Sequence, residues 1–160
     1  MLLVVDTREQ KPYSFAKYDA EVMRAALPAA DYSLPGFEDR VVVERKSVND
    51  LIGCLTKDRA RFERELAKLR TYELAAVVIE ASMQDIANGA YRSDMKPHAA
   101  LQSIFALQVR HGVPFIFAGN RAGGEYATYS LLEKYLSETE KRYQAATKGQ
   151  NQSREEAEMN

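Results

Sequence analysis

At 160 residues, with 46% hydrophobic and 28% charged side chains, the chain is long enough to bury one sizeable core unaided, so a single soluble domain is expected. Twenty-two basic residues against 23 acidic ones leave a net charge of −1, and overall charge therefore does not mark a nucleic-acid or membrane binder. The single cysteine, Cys54, excludes an internal disulfide, and two distant histidines, His98 and His111, give no zinc pattern.

The start, Met1 to Asp6, lacks a basic leader and meets an acid too early for a signal peptide, and no apolar run approaches membrane-spanning length. The expectation is a cytoplasmic protein without a membrane partner, nucleoid-associated if bacterial and host-cell located if viral. Leu2 to Val5 reads as a buried strand that delivers Asp6 at its end. Asp19 resembles the N-cap of a short helix through Leu27, with Val22, Ala26 and Leu27 inward and Pro28 closing it. After Asp31, Tyr32-Ser33-Leu34 alternates as a strand, and Pro35-Gly36 turns into a second arm, Arg40 to Lys46. Such a hairpin brings Asp31 near Glu44 and Lys46.

Ser47 to Asp50 has the form of a capping-box variant that opens a helix burying Leu51, Ile52 and Leu55. A longer helix, from about Asp58 to Thr71, has Phe62, Leu66 and Leu69 on one side and the basic stripe Lys57, Arg61, Arg64 and Lys68 on another. Leu74 to Ile79 is a second buried strand, ending in Glu80, and Ser82-x-x-Asp85 is a further helix start. Pro97 opens a helix with Leu101, Ile104, Phe105 and Leu107 inward, ended by His111-Gly112. Phe115 to Phe117 is a last strand. Gly119 to Gly124 reads as a flexible loop, and Glu125 to about Ala145 as a final helix with Leu131, Leu132, Tyr135 and Leu136 inward. This alternation predicts an α/β fold around one sheet. It gives a domain over residues 1–146 and a polar tail, 147–160, without structure.

Asp31 and Glu44 are the first candidates for shared metal ligands, with Asp6 and Asp50 completing or supporting the set directly or through water. Carboxylates are the hard oxygen donors that Mg²⁺ prefers, and a phosphodiester held by such an ion needs charge neutralisation and an activated water. Lys46, two residues after Glu44 on a strand, shares its face and can orient the attacking water or balance transition-state charge, whereas Arg45 points to the other face of a regular strand. Glu-Arg-Lys alone is common on exposed edge strands. Here three valines lead into it and an apolar helix follows, which sets it at the edge of the core. Asp50, at the third helical position, serves equally as a cap. Glu80 is the weaker functional candidate, and Tyr32 suits packing, with base stacking open to it. Residues 40 to 70 carry nine basic side chains against five acidic, a local excess able to steer a polyanion.

Asp6-Thr7-Arg8-Glu9, Asp31-Tyr32-Ser33-Leu34, the run from Val43 to Leu51, and Arg61-Phe62 occur in an order that resembles the nuclease domain of the XPF/Hef family. Weaker likeness extends through Leu74 to Glu80 and Ser103 to Ala118. The resemblance implies a restriction-endonuclease-like central mixed sheet flanked by helices, dependence on Mg²⁺ or Mn²⁺, and incision of branched DNA (flaps, forks or recombination junctions), as in DNA repair and recombination. By position it assigns Asp6, Asp31, Glu44, Arg45, Lys46 and Asp50 to the active site. Arg8 then becomes a DNA-binding or site-organising residue, beside Lys57, Arg61, Arg64 and Lys68. Two features depart from the family pattern: Ala30 replaces its usual glycine, and no helix-hairpin-helix module follows. A homodimer, through Leu101 to Leu107 and Leu131 to Leu136, or a partner protein would then add DNA binding. A nuclease without branch preference and a non-catalytic scaffold paired with an active nuclease are the competing readings.

Overall fold

The computed structural model describes all 160 residues and contains one six-stranded mixed sheet between two helical layers. Strands β1 (Leu2–Asp6), β2 (Glu21–Ala25), β3 (Tyr32–Ser33), β4 (Val41–Lys46), β5 (Leu74–Ile79) and β6 (Phe115–Phe117) lie in the order β2-β1-β3-β4-β5-β6. The β1–β2, β4–β5 and β5–β6 pairs are parallel, and β3 runs antiparallel to both of its neighbours. Helices α1 (Val48–Leu55), α2 (Arg59–Leu69), α3 (Met83–Ala87), α4 (Pro97–His111) and α5 (Arg121–Met159) complete the chain.

Period-two alternation along β4 divides the core. Val42 joins Leu51, Ile52, Phe62, Leu66 and Leu107 under α1, α2 and α4. Val41 and Val43 join Leu3, Val5, Tyr32, Leu132 and Tyr135 under α5. Local signals set most boundaries. Ser47 Oγ accepts from the Asp50 amide at the start of α1, and Ser82 and Asp85 form a reciprocal capping box on α3. Pro97 opens α4, and Gly112, at φ 66°, closes it.

Four expectations are corrected. Residues 19–27 form no helix; Glu21–Ala25 is an edge strand paired in parallel with β1, and Val22 and Ala26 are exposed while Leu27 is buried. The helix-favouring Glu, Met and Ala of this segment lose to the ladder that β1 offers. The segment expected to be a glycine loop instead contains the first turn of α5, with Asn120 accepting the Gly123 amide at 2.8 Å. Both glycines are there for close approach: a Cβ at Gly123 would overlap the Ala118 carbonyl, and one at Gly124 would overlap the Tyr13 hydroxyl. Phe105 faces outward, because the inward stripe of α4 runs through Ala100, Ile104 and Leu107. Residues 147–160 continue α5 rather than lacking structure; every side chain from Glu140 onward is exposed, so helix-favouring Ala, Glu, Gln and Arg carry this end without core contacts.

Candidate active site

The hairpin β3–β4 builds the centre of the site. Tyr32 pairs with Val43, and the Asp31 amide donates to the Val43 carbonyl at 3.0 Å, so Asp31 lies beside the end of β4. Its Oδ2 accepts the Arg45 amide at 2.7 Å, and its carboxyl lines the same cleft as that of Glu44. Lys46 Nζ stands 3.4 Å from Glu44 Oε1 and 5.7 Å from the centre of the Phe62 ring on α2. The expected convergence of Asp31, Glu44 and Lys46 is present.

Electrostatics at this point are unusual for carboxyls. Burial pushes the Asp31 carboxyl above its ordinary range, and burial together with the Asp31 charge pushes Glu44 up as well. Burial, the largest single influence, works to lower the Lys46 ammonium, but Glu44, Cys54, Glu65 and Asp31 together outweigh it and hold Lys46 protonated. Without a further cation, the fold keeps a proton on the acid pair.

Asp6 lines the same cleft as this pair but is engaged by other partners, and Arg45 lies on the other face. Asp6 is almost fully buried; its Oδ1 accepts the Leu27 amide at 2.8 Å and its Oδ2 accepts Arg8 Nε at 2.7 Å. Burial raises its pKa, yet these hydrogen bonds and the Arg8 charge leave it below the usual carboxylate value. Asp6 therefore braces the β1 end against Leu27 and Arg8. Arg45 points to the opposite face of the sheet, as alternation requires. There it grips Glu80 with two hydrogen bonds, of 2.8 and 3.0 Å, and approaches Glu9 at 3.6 Å.

Glu80, the weaker candidate from sequence, is thus central to a buried network. It also accepts the Tyr13 hydroxyl at 2.6 Å and meets Arg121 at 3.6 Å. Glu9, Tyr13 and Arg121 went unrecognised in the sequence because their partners are distant along the chain. The one available signal was parallel register: once β4 and β5 pair, Lys46 stands opposite Ile79, and Glu80 follows directly.

Two depressions flank the acid pair. A cleft of ≈ 320 Å³ has Asp6, Asp31 and Glu44 on its floor and Ala29, Glu65 and Lys68 on its walls. A polar groove of ≈ 560 Å³ passes Arg8, Glu44, Lys46, Asp50, Lys11 and Arg92. Asp50 is exposed there while its amide completes the Ser47 cap, so both of its expected roles remain geometrically open. Of the stripe on α2, Lys68 reaches the cleft and donates to the Pro28 carbonyl, and Arg61 pairs with Asp58 at 3.8 Å. Arg64 is exposed on α2, whereas Lys57, expected in the same stripe, lies exposed in the turn that precedes the helix.

The site thus combines a half-buried acid pair with a lysine at the end of a mixed sheet. Residues 5–124 match the ERCC4 domain, and the chain belongs to that family of nucleases. XPF from Aeropyrum pernix has the same fold, with a TM-score of 0.68 at 22% identity over 84% of this chain and 61% of that one. XPF from Aeropyrum pernix in complex with DNA superposes with a TM-score of 0.64, also at 22% identity, over 85% of this chain and 65% of that one. A Methanocaldococcus jannaschii protein named as an ATP-dependent RNA helicase is 28% identical over 118 residues, 74% of this chain and 14% of that protein. The chain thus spans a minor part of that relative and under two thirds of each XPF chain.

Proposed function

We propose that the chain is a metal-dependent, structure-specific DNA endonuclease that hydrolyses phosphodiester bonds at branched DNA. The observation that carries this reading is the Asp31–Glu44 pair: two half-buried carboxyls share one cleft, with a lysine beside Glu44, although ionising both costs free energy in such a site. A divalent cation removes that cost, and the donor set fits Mg²⁺ or Mn²⁺. Asp31 has one oxygen committed to the Arg45 amide and the other free, Glu44 faces it, and no soft sulfur or imidazole ligand intrudes. When bound, the cation would supply Lewis acidity to the phosphate and a more acidic water. Asp31 and Glu44 would hold it; Asp6, paired with Arg8, lines the cleft beside them.

Lys46 contributes the chain's own charge. Its ammonium stays protonated beside Glu44, placed to orient the attacking water or to balance the charge that grows on the phosphate oxygens. Arg45 acts from the other face, where its grip on Glu80 fixes the backbone between Glu44 and Lys46 and keeps its amide on Asp31. The DNA seen with one XPF chain supports DNA as the substrate here, and the family resemblance supports a branched one.

End-labelled flap, fork, four-way junction, duplex and single-stranded DNA, incubated with Mg²⁺ or Mn²⁺, test the reading. Wild type should incise near the branch, and Asp31→Asn and Lys46→Ala should lose at least about 100-fold in rate. Equal cutting of all substrates would replace branch specificity with a general nuclease. No cutting by wild type with either metal would leave a DNA-binding scaffold.

A further inference from the structure

We infer that the polar groove on the Lys46 side of the acid pair binds the sugar-phosphate backbone next to the scissile phosphate, with Lys11 and Arg92 as its phosphate-contacting residues. The inference rests on the nuclease reading and assigns a strand path to it. None of the twelve residues lining this groove is hydrophobic, so it suits a hydrated polyanion rather than an unstacked base. The cleft on the other side of the acid pair differs, for Pro28, Ala29, Ala30 and Leu69 form part of its wall.

Lys11 and Arg92 are far apart in sequence and come from the β1–β2 and α3–α4 connections, yet both line this groove. Each has an anchored backbone and an unpaired head group. Arg121 donates to the Lys11 carbonyl at 2.9 Å, and the Lys11 amide donates to Glu9. The Arg92 amide donates to Asn49 Oδ1 at 2.8 Å, which ties the α3–α4 connection to the start of α1. Neither the Lys11 ammonium nor the Arg92 guanidinium makes an ion pair or hydrogen bond within the protein, and both are exposed. In contrast, the other cations of the groove are engaged: Arg8 with Asp6, Arg45 with Glu80 and Lys46 with Glu44. Two permanently charged groups on fixed backbones, beside acids that need a cation before an anion can approach, are placed to hold a strand as it passes the site.

Equilibrium binding of a labelled four-way junction and a labelled duplex, across a salt series, tests this in the Asp31→Asn background, which blocks cleavage. Lys11→Ala and Arg92→Ala should each weaken binding roughly three- to tenfold on both DNAs and make the log–log salt dependence shallower by about one unit. The double variant should lose about two units, and Arg92→Lys should restore the slope. Binding and slopes unchanged in both alanine variants would overturn the groove assignment while leaving the nuclease reading standing. If neither Asp31→Asn nor wild type binds either DNA at low salt, the nuclease reading fails and the groove assignment falls with it.

Discussion

Ala30 has φ 62°, a left-handed conformation that costs an alanine about 1–2 kcal/mol. It directly precedes Asp31 and lines the cleft, so the backbone that presents the Asp31 carboxyl is bent against its residue's preference. Glycine would relieve the strain and give back roughly 0.5–1 kcal/mol through unfolded-chain entropy. Ala30→Gly is therefore expected to raise the unfolding midpoint by about 2–4 °C with activity intact, and a lowered midpoint in a thermal melt would sink the argument. Glu80 offers a second test at this scale. Its side chain and that of Arg45 are 8% and 9% exposed, so Glu80→Ala abandons a buried guanidinium and should cost about 3–5 kcal/mol in a urea titration. Glu80→Gln, which still accepts hydrogen bonds, should cost less. A loss under about 1 kcal/mol for the alanine variant would mean that Glu9 and Tyr13 alone satisfy Arg45.

At the scale of elements, α5 behaves differently along its length. Its first turn is wedged against the Arg45–Glu80–Tyr13 network, whereas nothing lies within 4 Å of a Cβ placed at Gly149. Gly124→Ala should therefore destabilise the fold by about 1–3 kcal/mol, since the new methyl displaces the Tyr13 hydroxyl from Glu80. Gly149→Ala should increase helical circular dichroism and leave the unfolding midpoint nearly unchanged, because its gain of about 0.5–1 kcal/mol is local to an exposed segment. A marked shift of the midpoint in Gly149→Ala would indicate that the outer part of α5 is coupled to the core. We propose that the functional domain ends near residue 146, on the ground that the helix buries nothing beyond that point.

For the molecule as a whole, the acid pair links stability to pH. Asp31 and Glu44 have folded-state pKa values raised above their unfolded ones, so the folded form holds protons more tightly. Their stabilising contribution is full below the unfolded carboxylate range, at about pH 4, and is lost as pH rises through the raised folded values. Asp6 runs the opposite way: its lowered value contributes stability above the unfolded pKa and loses it as pH falls through the folded one. A cation that replaces the protons on Asp31 and Glu44 must stabilise most where they are otherwise lost. Mg²⁺ or Mn²⁺ should therefore raise the unfolding midpoint more at pH 8 than at pH 5, and chelator should abolish the difference. Equal increments at the two pH values, or none, would count against the pair as the metal site.

Much of this site is written in short-range pattern. Alternation along Val41 to Lys46 puts Glu44 and Lys46 on one face and Arg45 on the other, and the Pro35-Gly36 turn folds Asp31 back beside them. Caps at Ser47, Ser82 and Gly112 fix helix ends because each signal and its partner lie within four residues. The sequence by itself therefore determined the α/β class, the acid pair and its lysine. Tertiary structure alone decided that residues 21–25 become a strand, because the β1 ladder outweighs local helix preference. It alone paired Asp6 with Arg8 and Leu27, joined Arg45 to Glu80 across 35 positions, and brought Lys11 and Arg92 to one groove. Those choices depend on groups that meet only after the sheet has formed, where burial and pairing set their energies and no spacing along the chain encodes them.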